Sequence, residues 1–285
     1  MRRWRQLLKL LPVHLVVIAL AAIWLTPSLG LLVSSFRPRQ DLLASGWWTT
    51  LVNPSYWPRF TLDNYRDVLF RQGMGRAFLN SFIITVPTTL ITLSIAALAA
   101  YALAWMNFRG RQLLLMTVIG LIVIPLQMTL IPVLRMFNAL KISGTFPGVW
   151  LAHTGYGLPL MIYLLRNFFG ALPRELFESA FIDGASPFTA FLRLTLPLSV
   201  PVLASAAIFQ FLWVWNDLLV SLVYLGGFAR VAPLTVQLSN LVGSRGQDWH
   251  LLTAAAFVSM IVPMIVFFSL QRYFVRGILA GALKG

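Results

Sequence analysis

Long apolar runs separated by short charged segments dominate this chain. Six of them, residues 10–36, 77–108, 112–134, 142–165, 194–216 and 249–271, contain no Asp, Glu, Lys or Arg, and the shortest has 23 residues. Crossing roughly 30 Å of hydrocarbon takes about 20 helical residues at ~1.5 Å each, so every run is long enough. Lipid offers no partner for a peptide N–H or C=O, so the spans are predicted to be helices, whose backbone bonds are internal. The pattern predicts an all-α polytopic membrane protein with six transmembrane helices. The basic start "MRRWRQLLK" is compatible with a signal peptide, but the apolar run behind it is longer than an h-region and lacks a cleavage site. A retained span is the expectation.

The segments between the runs carry their own signals. Residues 45–65, "SGWWTTLVNPSYWPRFTLDNY", are rich in turn formers, and Trp47, Trp48, Tyr56, Trp57 and Tyr65 have the character of an interfacial aromatic belt. "TLDNYRDVLF" predicts a short amphipathic helix capped by Thr61 or Asp63. Pro87, Pro125, Pro132, Gly155, Gly157, Pro159 and Pro263 interrupt the spans. Such kinks suit a bundle that rearranges, and equally a static bundle of bent helices. "AALAAYALAW" at 96–105 presents small residues that permit close helix contact.

Composition agrees with the pattern: 59% of residues are hydrophobic, 11% are charged, and the mean hydropathy is +0.80. A soluble domain needs more polar surface than that. The net charge of +14 sits at the ends of apolar runs, which fits anionic lipid headgroups and argues against nucleic acid as a partner. There is no cysteine, so disulfides, thiolate metal sites and catalytic thiols are excluded. The tail (Arg2, Arg3, Arg5, Lys9) and the short turn at Arg109 and Arg111 hold six cations and no acid. Short segments beside spans weigh most in the positive-inside rule, so both termini are predicted to be cytoplasmic.

Three of the eight acids fall within nine positions of "ELFESAFIDGAS" at 175–186. Pro173 and Glu175 suit a helix start, Asp183-Gly184 its end, and Ser186-Pro187 the start of a second helix. Phe177, Phe181 and Gly184 share one face of the first helix. The result is a helix–glycine–helix elbow on the cytoplasmic side. It reads as a docking knob for another protein or as a well-capped loop, and the residues alone do not separate the two.

Asp217 is the only acid within a predicted span, with Asn216, Gln210 and the pair Trp213/Trp215 nearby. Ionisable residues in membranes usually face a bundle interior or a wet cavity, so this cluster is either part of a translocation path or a structural hydrogen-bonding site. His153, in "AHTGYG", has no metal-ligand partner and reads as polar packing or as a second path residue. No metal site, Ser-His-Asp arrangement or other catalytic cluster is visible. No GxxxxGK[ST] loop is present to cradle phosphates.

"ESAFIDGA" followed by "RLTLPLSVP" resembles the EAA loop of permease subunits of binding-protein-dependent ABC importers. The pattern falls on Glu178, Ser179, Ala180, Asp183, Gly184, Ala185, Leu196, Pro197 and Pro201, with Ser179 standing where the family has Ala. "QRYFVRGILAGALKG", "FTLDNY", Asn80-Ser81, "YAL" at 101–103 and "WNDLL" at 215–219 resemble the second permease of carbohydrate importers. "WLAHTGYGLPLMIYLLRN", "AIFQFLWVWNDLL" and "LVGSRGQDW" are most similar to α-glucoside permeases.

The resemblance implies a type I importer fold in a bacterial inner membrane: a tail, span and periplasmic loop at 1–71, a transmembrane core at 72–275, and a cytoplasmic tail at 276–285. It implies a second homologous permease, two cytoplasmic ATPase subunits and an extracytoplasmic sugar-binding protein as partners, alongside membrane lipid. The coupling contact would be Glu178, Ser179, Ala180, Asp183, Gly184 and Ala185, with Phe177 and Phe181 as apolar anchors. ATP and Mg would sit on the ATPase, leaving no cofactor in this chain and no catalysis of its own. In the maltose-type relatives the sugar is held mainly by the other permease. The competing reading is a stand-alone secondary sugar transporter, which would usually carry more intramembrane ionisable groups and an inverted repeat.

Overall fold

The computed structural model describes residues 2–245 and 248–282, with side-chain surroundings for 11–242 and 248–269. The basic tail at 1–9, part of "LVGSRGQDW" and the closing motif at 271–285 therefore lie wholly or partly outside those side chains. Helices follow in the order α1 (Arg2–Ser35), α2 (Arg39–Ala44), α3 (Thr49–Val52), a 3₁₀ turn (Pro54–Arg59), α4 (Asp63–Phe70) and α5 (Met74–Trp105). Next come α6 (Arg111–Val123), α7 (Leu126–Ala139), α8 (Phe146–Phe169), α9 (Arg174–Ile182), α10 (Pro187–Ala190), a π turn (Phe191–Thr195) and α11 (Leu196–Leu198). The chain ends with α12 (Val200–Trp215), α13 (Leu219–Leu225), α14 (Leu234–Arg245) and α15 (Trp249–Ala282). No strand occurs among the described residues.

All six apolar runs are helical, and the kinks expected at Pro and Gly become sharp breaks in two of them. Leu11–Ser35, Met74–Trp105 and Trp249–Ser269 are single helices long and apolar enough to cross a membrane. The run at 112–134 instead bends by 102° between α6 and α7. Ile124 leaves the helical region (φ −72°, ψ 118°) ahead of Pro125, as the clash with a following proline ring requires. The run at 194–216 bends by 78° at Ser199, two residues before Pro201. Counting each bent pair once gives five candidate spans among the described residues. The remaining run is α8, whose 24 residues have sufficient length but include the polar stretch at His153–Gly157 and Arg166.

The chain divides into two compact units, 1–75 with 238–260, and 76–237 with 261–285. In the first, the long predicted loop is folded around a buried arginine. The Arg37 guanidinium donates to Asp41 O (2.8 Å) and Ser45 Oγ (2.7 Å). Burial draws its pKa below the ordinary value while the Asp41 charge pulls the other way. Asn64 Nδ2 donates to Ser35 O and Arg37 O, both at 2.9 Å, tying α4 back to the end of α1. The predicted helix at 61–70 forms as α4, and Thr61 Oγ1 accepts the Asp63 N–H at 3.0 Å. Of the expected aromatic belt, Trp48 and Trp57 stay exposed, whereas Trp47 lies so close to Gly30 that a Cβ there would meet its indole nitrogen at 2.7 Å.

In the second unit the small residues of "AALAAYALAW" do what packing needs. Ala96, Ala97 and Ala100 are buried in a core shared with Met161, Leu165 and Phe169 of α8 and Ala206 of α12. Asn80 and Ser81 clamp the segment ahead of α14: Asn80 Nδ2 donates to Arg230 O (3.2 Å) and Ala232 O (3.0 Å), and Ser81 Oγ accepts the Leu234 N–H (2.9 Å). The two residues supply partners to backbone groups that have none inside a helix, which lipid cannot do.

Asn64→Ala removes two buried hydrogen bonds and leaves two carbonyls without them; it should cost about 1–3 kcal/mol. Thermal unfolding in detergent is the measurement, and an unchanged Tm would contradict the tie between α4 and α1.

Candidate functional site

The elbow is built from local signals in the order the sequence sets them. α9 opens after Pro173 with Glu175 in its first turn, where the exposed N–H groups favour negative charge. It stops at Asp183. Gly184 takes φ +83°, the Ala185 N–H donates to Ala180 O (2.9 Å) and the Gly184 N–H to Phe181 O (3.1 Å). These are the paired bonds of a Schellman turn, which asks for a left-handed residue at Gly184. Space is not the reason, since nothing lies within 4 Å of a Cβ placed there. Ser186 Oγ then accepts the Thr189 N–H at 3.1 Å and Pro187 opens α10.

Burial sorts the predicted coupling residues into two groups. Glu178, Ser179, Phe181, Asp183 and Gly184 are exposed, and Ala180 and Ala185 are half-buried. Ser179 turns its hydroxyl back onto Glu175 O at 2.8 Å, so it presents a compact surface much as alanine would. Phe177 is the correction. Expected to pair with Phe181 as an outward anchor, it is only 1% exposed and stacks on Trp105 at 3.8 Å between ring centres. Trp105 in turn donates Nε1–H to Phe169 O at 3.0 Å. Phe177 therefore roots the elbow in its own bundle, and the apolar side chains left exposed are Leu176, Phe181, Ile182 and Phe188.

The second candidate cluster lies where α8 packs on α12. Gly157 and Gln210 meet closely: a Cβ on Gly157 would stand 2.7 Å from the Gln210 amide. Gln210 is fully buried and its amide atoms have no hydrogen-bond partner among the described residues. Seven residues further, Asp217 lies in the break after α12 rather than inside a helix, which corrects its predicted place. Its carboxylate accepts the N–H groups of Val220 (3.2 Å) and Ser221 (2.9 Å), capping α13. His153 Nε2 lies 3.5 Å from Asp217 Oδ2, at ion-pair rather than hydrogen-bond distance. The Thr235 hydroxyl donates to the Asp217 carbonyl.

Two cavities flank this region. One, of about 550 Å³, is lined by Gln210, Trp213, Tyr156 and Thr129 among apolar neighbours. The other, of about 670 Å³, is lined by Trp213, Asn216 and Asp217, with Phe209, Leu212 and Phe267. Trp213 and Phe209 belong to both walls. The structure thus brings Gln210, Trp213, Asn216 and Asp217 to cavities, while His153 is sealed behind them with its ring edge against Trp213 at 6.0 Å. The sequence reading missed a hydroxyl chain: Thr129 Oγ1 donates to Tyr156 OH (3.0 Å), which meets Tyr224 OH at 2.7 Å. Its only sequence signal is polar atoms within apolar runs. Among the described residues no group of His, Cys, Asp and Glu could hold a metal ion.

Residues 92–280 match the family described as binding-protein-dependent transport system inner membrane component. The osmoprotective compounds uptake permease protein GgtD of Synechocystis sp. is 64% identical, covering 96% of this chain and 92% of its own. The alpha-glucoside transport system permease protein AglG of Rhizobium meliloti is 43% identical, covering 96% and 97%. A crystal structure of a bacterial ABC transporter involved in the import of the acidic polysaccharide alginate contains a similar chain. Its TM-score is 0.72 at 21% identity, over 95% of this chain and 98% of that one, a likeness of fold.

Phe177→Ala opens a cavity against Trp105 and should cost about 3–5 kcal/mol. Phe181→Ala, at an exposed position, should stay within about 0.5 kcal/mol. Thermal unfolding of the two variants in detergent compares them; equal losses would contradict the division into root and exposed tip.

Proposed function

The chain belongs to the binding-protein-dependent transport system inner membrane components, and from that premise we propose that it is the permease subunit of an ABC importer for an α-glucoside or related oligosaccharide. As a member of that family it is a multi-pass transport subunit of the inner membrane. The name of the alpha-glucoside relative supports the cargo. The observation that carries the mechanism is the rigidly capped elbow, with acids and small residues outward and Phe177 inward.

In this reading Glu178, Ser179, Ala180, Phe181, Asp183, Gly184 and Ala185 face a cytoplasmic ATPase subunit. The surface suits a protein partner: two carboxylates give direction and charge, and the small residues admit close approach. Nucleotide closure draws α9 toward the ATPase. Because Phe177 is stacked on the end of α5, that pull reaches the bundle through a packed contact rather than a flexible link. The π turn and the bend at Ser199 join the elbow to α12, whose far end carries the cavity residues. ATP and Mg are held by the partner, two ATPase copies serve this chain and a second homologous permease, and an extracytoplasmic sugar-binding protein delivers cargo. Both termini lie in the cytoplasm.

Two experiments bear on this. Glu178→Ala should weaken co-purification with the ATPase, and Gly184→Pro should abolish sugar-stimulated ATP hydrolysis, since proline cannot take φ +83°. Full retention of both properties in both variants sinks the coupling role. For orientation, the absence of native cysteine gives a clean background for Arg109→Cys and Ser55→Cys. In intact cells an impermeant maleimide should label only Ser55→Cys, and the reverse result inverts the topology.

A further inference from the structure

Asp217 already has a structural task, since its carboxylate caps α13 and faces His153. That task does not need an opening, yet the side chain keeps 13% of its surface exposed and lines the 670 Å³ cavity. Its neighbour Asn216 is exposed on the same wall. The Asn216 amide donates one N–H to Leu212 O at 2.8 Å, which leaves its oxygen uncommitted among the described residues. Trp213 supplies a broad half-buried ring, and Phe209, Leu212 and Phe267 complete apolar walls.

Resting on the sugar-import reading, we propose that this cavity is a binding site for a neutral polyhydroxylated solute on this subunit itself. Sugar hydroxyls donate to the Asp217 carboxylate and to Asn216 Oδ1, and the apolar face of the sugar ring lies on Trp213. Ligand pockets of this kind are mostly apolar with a few placed polar groups, and a tryptophan offers a large rigid surface with little entropy to lose. The carboxylate has acceptor sites beyond those used by Val220 and Ser221. A cation is a poor occupant because the two N–H dipoles of Val220 and Ser221 already offset the charge. A lipid tail would leave the remaining acceptor sites of the carboxylate and the amide oxygen facing hydrocarbon, which is costly.

The test uses the complete importer in proteoliposomes with binding protein in excess, comparing uptake of maltose, trehalose and sucrose. Trp213→Ala and Asp217→Asn should alter the ratio of uptake rates among these sugars by about tenfold, since a lost hydrogen bond or platform affects differently shaped ligands unequally. Asn at 217 keeps an oxygen to cap α13; if Trp213→Ala does not assemble, Trp213→Phe should shift the ratio in the same direction by less. A proportional fall for all three sugars, or no change, overturns the site and leaves sugar import standing. Failure of the unmodified complex to take up any of them overturns the import reading and this site together. Radiolabelled trehalose retained by the unmodified complex without binding protein, and lost in Asp217→Asn, supports the site; retention equal in both overturns it.

Discussion

Hydrocarbon provides no hydrogen bond to a peptide group, and every place where this chain leaves the helix must therefore supply its own partners. The broken stretch after α12 shows how this is done. Asp217 offers its carboxylate to the first N–H groups of α13, and the Thr235 hydroxyl takes the Asp217 carbonyl. Nearby, Asn80 and Ser81 satisfy the irregular segment ahead of α14. These four polar residues thus supply what interrupting a helix inside a membrane requires. They also make cavities possible, since a break leaves unfilled space beside it.

The elbow follows the same economy with different means. It faces away from the core, so its ends are closed by backbone turns and short side-chain caps: the Schellman pair at Gly184 and the Ser186 cap. It is rooted by inward residues, Phe177 on α9 with Ala190 and Phe191 at the end of α10. Phe177 stacked on Trp105, itself held to Phe169 O, fixes the elbow to the ends of α5 and α8. Close-packed aromatic contacts of this kind leave little room for local rearrangement.

Gly157 and Gln210 add a further constraint. The glycine lets an amide lie directly against the backbone of α8, where a larger residue would push α12 away. The helices approach closely there because a side chain is missing, the same logic as the buried alanines at 96, 97 and 100. Close packing and polar burial therefore coincide on one helix pair, next to the residues that line both cavities.

The class, the helical nature of each apolar run and the punctuation of the elbow were legible in the residues. These depend on run length, on the chemistry of Pro, Gly, Ser and Asp at helix ends, and on interactions within a few residues. Long-range packing sets the rest: two runs bend sharply, Asp217 caps a helix instead of sitting within one, and Phe177 points inward. The bends were written as Pro125 and Pro201, but a proline kinks or breaks a helix according to what its neighbours can satisfy. Phe177 and Phe181 are alike in sequence and share a helix face; which of them is buried depends on Trp105, seventy-two positions earlier in the chain, and periodicity carries no information about a contact at that separation.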